Sequence, residues 1–365
     1  MGFSCGIVGL PNVGKTTIFN ALTASAAAAE NYPFCTVEPN HGIVTVPDER
    51  LEKVAAIFAP EKVTPTTIEF VDIAGLVDGA SRGEGLGNQF LAQIREVDAI
   101  AHVVRCFTGG DVTHNYGSID PVRDIQVVET ELAIRDLDTV QKRLEKQRRA
   151  SKSGDKAIGE EVEVLEKAER ALAAGKAPAK AAPGESQDEA LAALQLLTAK
   201  PAFCIANISD EQITTLGQDQ PAALGEYCSS LDMPLVAVSA RTEAELDELE
   251  PDERAEYMQE IGLSLRALPG VISAGYALLS LVTFFTTVGT EVRAWTVPAG
   301  TPARRAAGRI HTDMEKGFIR AEVIGATDLL EQGSEQAARE KGLIRSEGRD
   351  YVVEDGDVIR FRFKV

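Results

Sequence analysis

Gly9, Gly14, Lys15 and Thr16 stand in the run GLPNVGKTT with the spacing of a phosphate-binding loop. Glycines at these places let the backbone wrap around phosphate oxygens, so that its N–H groups and the N-terminus of the next helix face the anion. A lysine there reaches the outer phosphates, and the hydroxyl after it ligates Mg²⁺. A chance glycine-rich turn could carry the same letters. Against that, Asp72-Ile73-Ala74-Gly75 closes a second apolar run, TIEFVDIAG. A nucleotide switch protein keeps its Mg²⁺-side aspartate and its γ-phosphate-sensing glycine at that place. The two motifs together point to binding of a nucleoside triphosphate. Thr36, in NYPFCTVEPN between them, is the candidate for the threonine whose hydroxyl reaches Mg²⁺ and whose N–H senses the γ-phosphate.

Leu76 follows Gly75. Ras-like enzymes hold the attacking water with a glutamine there, which an apolar side chain cannot do, so hydrolysis needs another group. His114, in the polar loop TGGDVTHNYG, is the candidate. A neutral imidazole can position or deprotonate water, and an ordinary solvated histidine is an equally good reading. His102 reads as a strand residue, while His41 and His311 have no evident partner. Base choice falls to Asn207-Ile208-Ser209-Asp210, just after the strand pattern AFCIA, where guanine-specific switches carry Asn-Lys-x-Asp. Ile208 replaces the lysine, yet Asp210 keeps a carboxylate able to accept from N1–H and N2–H₂ of guanine, which leaves GTP open. Ser239-Ala240, after LVAV, fits the last base-contacting loop.

These residues need a scaffold, and the pattern supplies one. From Phe3 to about Asp120, short runs rich in Val and Ile alternate with helical patterns, the signature of a mostly parallel sheet covered by helices. Ile125, Val128 and Leu132, then Leu137, Val140 and Leu144, recur at helical steps among many charges. Val162, Leu165, Ala168 and Leu172 repeat the pattern, and AAGKAPAKAAPGES follows as a linker that cannot build a core. An antiparallel helical arm is expected, inserted within the α/β domain, which resumes at Ala202 and Leu235. Beyond about Leu279, VRAWTV, ARRAAGRI, GFIRAEVI, YVVE, the hairpin signal Asp355-Gly356 and VIRFRFKV predict a small mixed β domain.

With 365 residues the chain has room for two or three domains. A net charge of −19 argues against binding nucleic acid through the whole surface and leaves room for local basic patches. Lys142, Arg143, Lys146, Arg148 and Arg149 form one such cluster, and Arg360, Arg362 and Lys364 another. Each is a solvated face or a local site for RNA or a ribonucleoprotein. Cys5, Cys35, Cys106, Cys204 and Cys228 are odd in number, with no Cys-x-x-Cys, so neither a disulfide framework nor zinc is expected and a reducing cytosol fits. No apolar run reaches transmembrane length, and Gly6 breaks the myristoylation pattern that Met1-Gly2 suggests.

GLPNVGKTT, DIAGLVDGASRGEGLGNQFLA, NIS and HTDMEKGFIRAEVI together resemble the Obg-like ATPases, the YchF family of translation-factor-related P-loop NTPases. The resemblance implies an α/β Ras-like P-loop G domain (1–121 and 202–278), a helical coiled-coil arm (122–201) and a C-terminal ubiquitin-like, β-grasp TGS domain (279–365). It implies an ATPase that associates with the ribosome or ribosomal RNA; with Leu76 in place of the glutamine its hydrolysis is expected to be slow, and the cysteine usage makes it cytoplasmic. A GTPase and a nucleotide-gated scaffold are the alternatives. Asn12, Val13, Gly14, Lys15, Thr16 and Thr17 would bind phosphates, Lys15 serving the chemistry as well. Thr16, Thr36 and Asp72 would hold Mg²⁺, Gly75 would sense the γ-phosphate, Asn207, Ile208 and Ser239 would flank the base, and His114 matches the proposed catalytic histidine. A role for K⁺ at Asn12 is left open. The family has Asn-x-x-Glu where this chain has Asp210, with Glu211 next. Use of ATP therefore requires Asp210 to turn away or Glu211 to take the expected place.

Overall fold

The computed structural model describes residues 3–28, 40–73, 85–107, 117–151, 155–178, 190–213, 222–263 and 265–364. The chain divides into two compact units, one of residues 3–43 and 69–271 and one of 44–68 and 272–365. From its start it runs β1 (Phe3–Val8), α1 (Lys15–Ala28), β2 (His41–Thr45), α2 (Glu49–Phe58), β3 (Lys62–Thr64), β4 (Thr67–Asp72), α3 (Gly85–Glu96) and β5 (Ala99–Arg105). The helices α4 (Pro121–Ala150) and α5 (Lys156–Ala173) follow, then β6 (Ala202–Asn207) and β7 (Leu235–Val238).

The first sheet has the order β2-β4-β1-β5-β6-β7. β1 is parallel to β5, β5 to β6 and β6 to β7. Every residue of β5 is buried, and all of β1 but its first. Such near-continuous apolar strands form where both faces of a parallel sheet are covered, so they do not alternate. From β1 the chain goes first to β2, on the β4 side, and later to β5 on the other. The carboxyl end of β1 is therefore a point where strand order reverses, and open α/β sheets bind ligands there.

α4 starts on Asp120, whose carboxylate accepts from Arg123 N at 3.1 Å, with Pro121 in the first turn. Val140, Leu144, Leu165, Ala168 and Leu172 share one core between α4 and α5. Gln141 meets Glu169 and Gln147 meets Glu161, so the two helices run antiparallel, as the sequence leads one to expect. The cation cluster on α4 is not bare. Lys142 pairs with Asp138, Arg143 with Glu161, Arg148 with Glu166 and Arg149 with Glu145.

In the second unit, β8 (Leu281–Val288), β9 (Glu291–Pro298), β10 (Phe318–Gly325), β11 (Arg345–Glu347) and β12 (Asp357–Phe363) join β3 in the order β11-β10-β12-β8-β9-β3. β8 and β9 form an antiparallel hairpin, and β12 lies parallel to β8. One core holds Phe284, Ala303, Ala307, Ala321 and Phe361; the other holds Leu51 and Val54 of α2 against Phe285, Val292, Leu329 and Val358.

Two differences from the sequence reading stand out. Residues 44–68 fall in the second unit, whereas sequence order alone groups them with the rest of 1–121. Their attachment is through non-local contacts: β3 pairs with β9, Thr64 Oγ1 donates to Glu291 at 2.5 Å, and Thr66 hydrogen-bonds Thr296. Asp355-Gly356 forms a turn, with Gly356 at φ +89°, but no hairpin, because β12 lies between β10 and β8 and Val352 bridges Pro302. Asp355 instead accepts from Thr283 N at 2.8 Å and Arg50 Nη1 at 2.6 Å, joining 44–68 to the sheet. Arg360 and Arg362 are likewise paired, with Glu335 and Glu322.

Candidate nucleotide site

α1 begins at Lys15, directly after the loop that leaves β1, and its first helical bond runs from Ile18 N to Gly14 O at 3.0 Å. The N–H groups ahead of that bond are the ones an anion can take. Gly14 sits at φ +97°, which only glycine adopts easily, and a Cβ there would collide with Asn207 Nδ2. Asn12 is also left-handed, at φ +63°, a conformation asparagine tolerates better than most residues.

Lys15 is only 8% exposed, and its Nζ donates to Leu10 O at 2.8 Å, closing the loop on itself. Burial pushes its pKa down, and the nearby Asp72 carboxylate opposes that shift. Thr16 Oγ1 donates to Asp72 Oδ2 at 2.8 Å. Asp72 is held at the end of β4 by its own N–H to Asn40 O and by Ile73 N to Ile7 O. Its Oδ1 is buried and has no partner among the described residues. A buried carboxylate oxygen left unpaired is costly, and a hydroxyl and a carboxylate side by side are the oxygen donors a hard cation takes. The donor set therefore fits a divalent cation at the phosphate end of the site.

Asn207 ends β6 almost fully buried. Its Nδ2 donates to Val13 O at 2.9 Å and its Oδ1 accepts from Ala240 N at 3.1 Å, so one amide ties the phosphate loop to the loop after β7. Ile208 points inward, packed with Val104, Ile125 and Leu224. Ser239 caps the helix Ala240–Glu248, its Oγ accepting from Thr242 N at 3.2 Å. Asp210 is turned onto this cap: its Oδ1 accepts from Ser239 Oγ at 2.6 Å and from Thr242 Oγ1 at 2.7 Å. Arg241 Nε lies 3.7 Å from Oδ2.

The structure thus gathers the residues from Asn12 to Thr16, with Asp72, Asn207 and Ser239, at the carboxyl edge of the first sheet. Thr17 follows on the exposed first turn of α1. Thr36, Gly75 and His114 lie outside the described residues. His102 is a strand residue of β5, buried so completely that its pKa is pushed down to about 4. His41 and His311 do have partners: Glu69 at 2.8 Å from His41 Nδ1, and Asp313, whose N–H donates to His311 Nδ1 at 3.2 Å. Thr242 and Arg241 are not recognisable as site residues from the sequence. The signal was a serine cap followed three residues later by a second hydroxyl, which says nothing of the partner they hold. Among the described residues there is no cluster of three or more His, Cys, Asp or Glu side chains able to hold a metal, and no helix long and apolar enough to cross a membrane.

Residues 4–148 match the family model described as 50S ribosome-binding GTPase, and residues 281–364 match YchF-GTPase_C, described as a protein of unknown function. The chain is 50% identical over 366 residues to a ribosome-binding ATPase YchF of Haemophilus ducreyi, covering 100% of both chains. It is 46% identical over 366 residues to the Bacillus subtilis protein of the same name, again with 100% of both covered. Among solved structures, the YchF GTPase of Schizosaccharomyces pombe superposes with a TM-score of 0.88 at 36% identity, covering 99% of this chain and 98% of that one.

Proposed function

The chain belongs to the YchF family, and from that premise we propose that it is a slow, Mg²⁺-dependent ATPase of the cytoplasm whose nucleotide state is read by the ribosome. The observation that carries this reading is the Thr16–Asp72 pair beside the buried Lys15, with Asp72 Oδ1 left without a partner among the described residues. Bound there, Mg²⁺ would offset the negative charge of the phosphates. The N–H groups at the start of α1 receive phosphate oxygens, and Lys15 exchanges its bond to Leu10 O for the outer phosphates. Thr16 and Asp72 supply oxygen donors, and Thr36 completes the set. Gly75 senses the terminal phosphate.

Hydrolysis is slow in this reading because Leu76 cannot orient water, and intrinsic rates of Ras-like sites without help are on the order of 10⁻⁴ s⁻¹. His114 is the group we assign to positioning that water. Residues 279–365 are the TGS domain of this reading.

The test is Lys15→Ala. Removing the ammonium should abolish detectable ATP turnover and weaken ATP binding measured by calorimetry, while the thermal unfolding profile persists. Turnover at the wild-type rate would show that the site is elsewhere.

A further inference from the structure

The carboxylate that ought to read guanine is present in this chain and engaged elsewhere. Guanine offers two donors on one edge, N1–H and N2–H₂, and a free aspartate matches them with its two oxygens. Adenine offers an acceptor at N1 and only C–H at position 2, so a free carboxylate facing that edge would repel it. Asp210 is not free. Its Oδ1 already accepts from two hydroxyls, Ser239 Oγ at 2.6 Å and Thr242 Oγ1 at 2.7 Å, which fills the lone pairs of that oxygen. Both hydroxyls belong to side chains at most 4% exposed, so they cannot swing away with the aspartate. Ser239 is held further by the N–H of Thr242 at 3.2 Å. On the solvent side Arg241 Nε stands 3.7 Å from Oδ2 and is itself fixed by Glu245 at 2.9 Å.

We infer that Ser239 and Thr242 are positioning residues for base choice: by clasping Asp210 onto the cap of the helix Ala240–Glu248 they withdraw the guanine-reading carboxylate and so select ATP over GTP. The inference rests on the nucleotide site proposed above and adds what decides the base at it. To accept two donors from guanine, Asp210 would have to give up both hydroxyl bonds, and hydrogen bonds to a charged group are the stronger kind. Ile208 completes the effect passively. Its side chain is turned into the core beside Val104 and Leu224, whereas the lysine of a guanine site has to lie along the base.

The clasp can be opened without touching the phosphate loop. Thr242→Val removes one hydroxyl at nearly constant volume, and Ser239→Ala/Thr242→Val removes both. Binding of ATP and GTP to the full-length protein would be followed by calorimetry, with thermal unfolding as the check on folding. The double variant should gain GTP affinity relative to ATP by about tenfold or more, the single variant by less. Adding Asp210→Asn to the double variant should erase the gain, whereas Asp210→Asn alone should leave the ATP-to-GTP ratio within about threefold of wild type. An unchanged ratio in a folded single or double variant overturns the inference. So does a GTP gain that survives Asp210→Asn, since the carboxylate would then not be its source. Failure of the underlying reading appears in a different place, as loss of ATP binding by the wild-type protein itself.

Discussion

Asn207→Ala offers the most direct test of how the site is held together. The side chain is 4% exposed and makes two bonds to buried backbone, to Val13 O at 2.9 Å and from Ala240 N at 3.1 Å. Val13 and Ala240 are themselves 1% and 4% exposed, so water cannot readily replace the lost amide. Each buried group left without a partner costs about 1–3 kcal/mol, which places the expected loss at roughly 2–6 kcal/mol. That is a large part of the about 5–15 kcal/mol by which domains are stable, and it falls on the two loops of the proposed nucleotide site. Urea unfolding followed by circular dichroism should show the loss. Amide exchange at Ala240 should speed up at least tenfold, since its acceptor is gone, and ATP affinity should fall with it. A variant with an unfolding free energy within about 0.5 kcal/mol of wild type and unaltered exchange at Ala240 would refute the bracing role of Asn207.

Two other outcomes follow from the charges. His102 is enclosed in β5 with its pKa pushed down from 6.5 to about 4, so the unfolded chain takes up a proton first as pH falls. Its contribution is intact above pH 6.5 and lost progressively down to about pH 4, and at about 1.4 kcal/mol per pH unit the full loss is roughly 3 kcal/mol. His102→Phe should therefore show a shallower fall in unfolding free energy between pH 7 and pH 5 than wild type, and equal falls would contradict the burial argument. Ribosome association should be limited by the glutamates that already occupy the arginines. Glu322→Gln/Glu335→Gln, which releases Arg362 and Arg360, should strengthen salt-sensitive co-sedimentation with ribosomes, and Arg360→Glu/Arg362→Glu should weaken it. Binding indifferent to both changes and to salt would exclude this strand as the contact.

The phosphate loop and the strands that flank it could be read from the chain because each depends on short-range chemistry. GLPNVGKTT carries its own turn glycines and helix start, and an apolar run such as AIAHVVR is a buried strand wherever a covered parallel sheet forms. The antiparallel arm was legible for the same reason, since its apolar spacing is local to each helix. What the sequence left open depends on partners distant along the chain. Asp210 reads as a guanine contact until the fold sets Ser239 and Thr242 against it, 29 and 32 residues away. The arginines of α4 and β12 read as free cations until Glu161, Glu166, Glu322 and Glu335 are placed beside them. Residues 44–68 read as part of the first domain until β3 pairs with β9 and Arg50 finds Asp355, 305 positions later. A residue's type limits which bonds it can make; which partner uses that capacity is decided only when the folded chain brings the two together and removes the water between them.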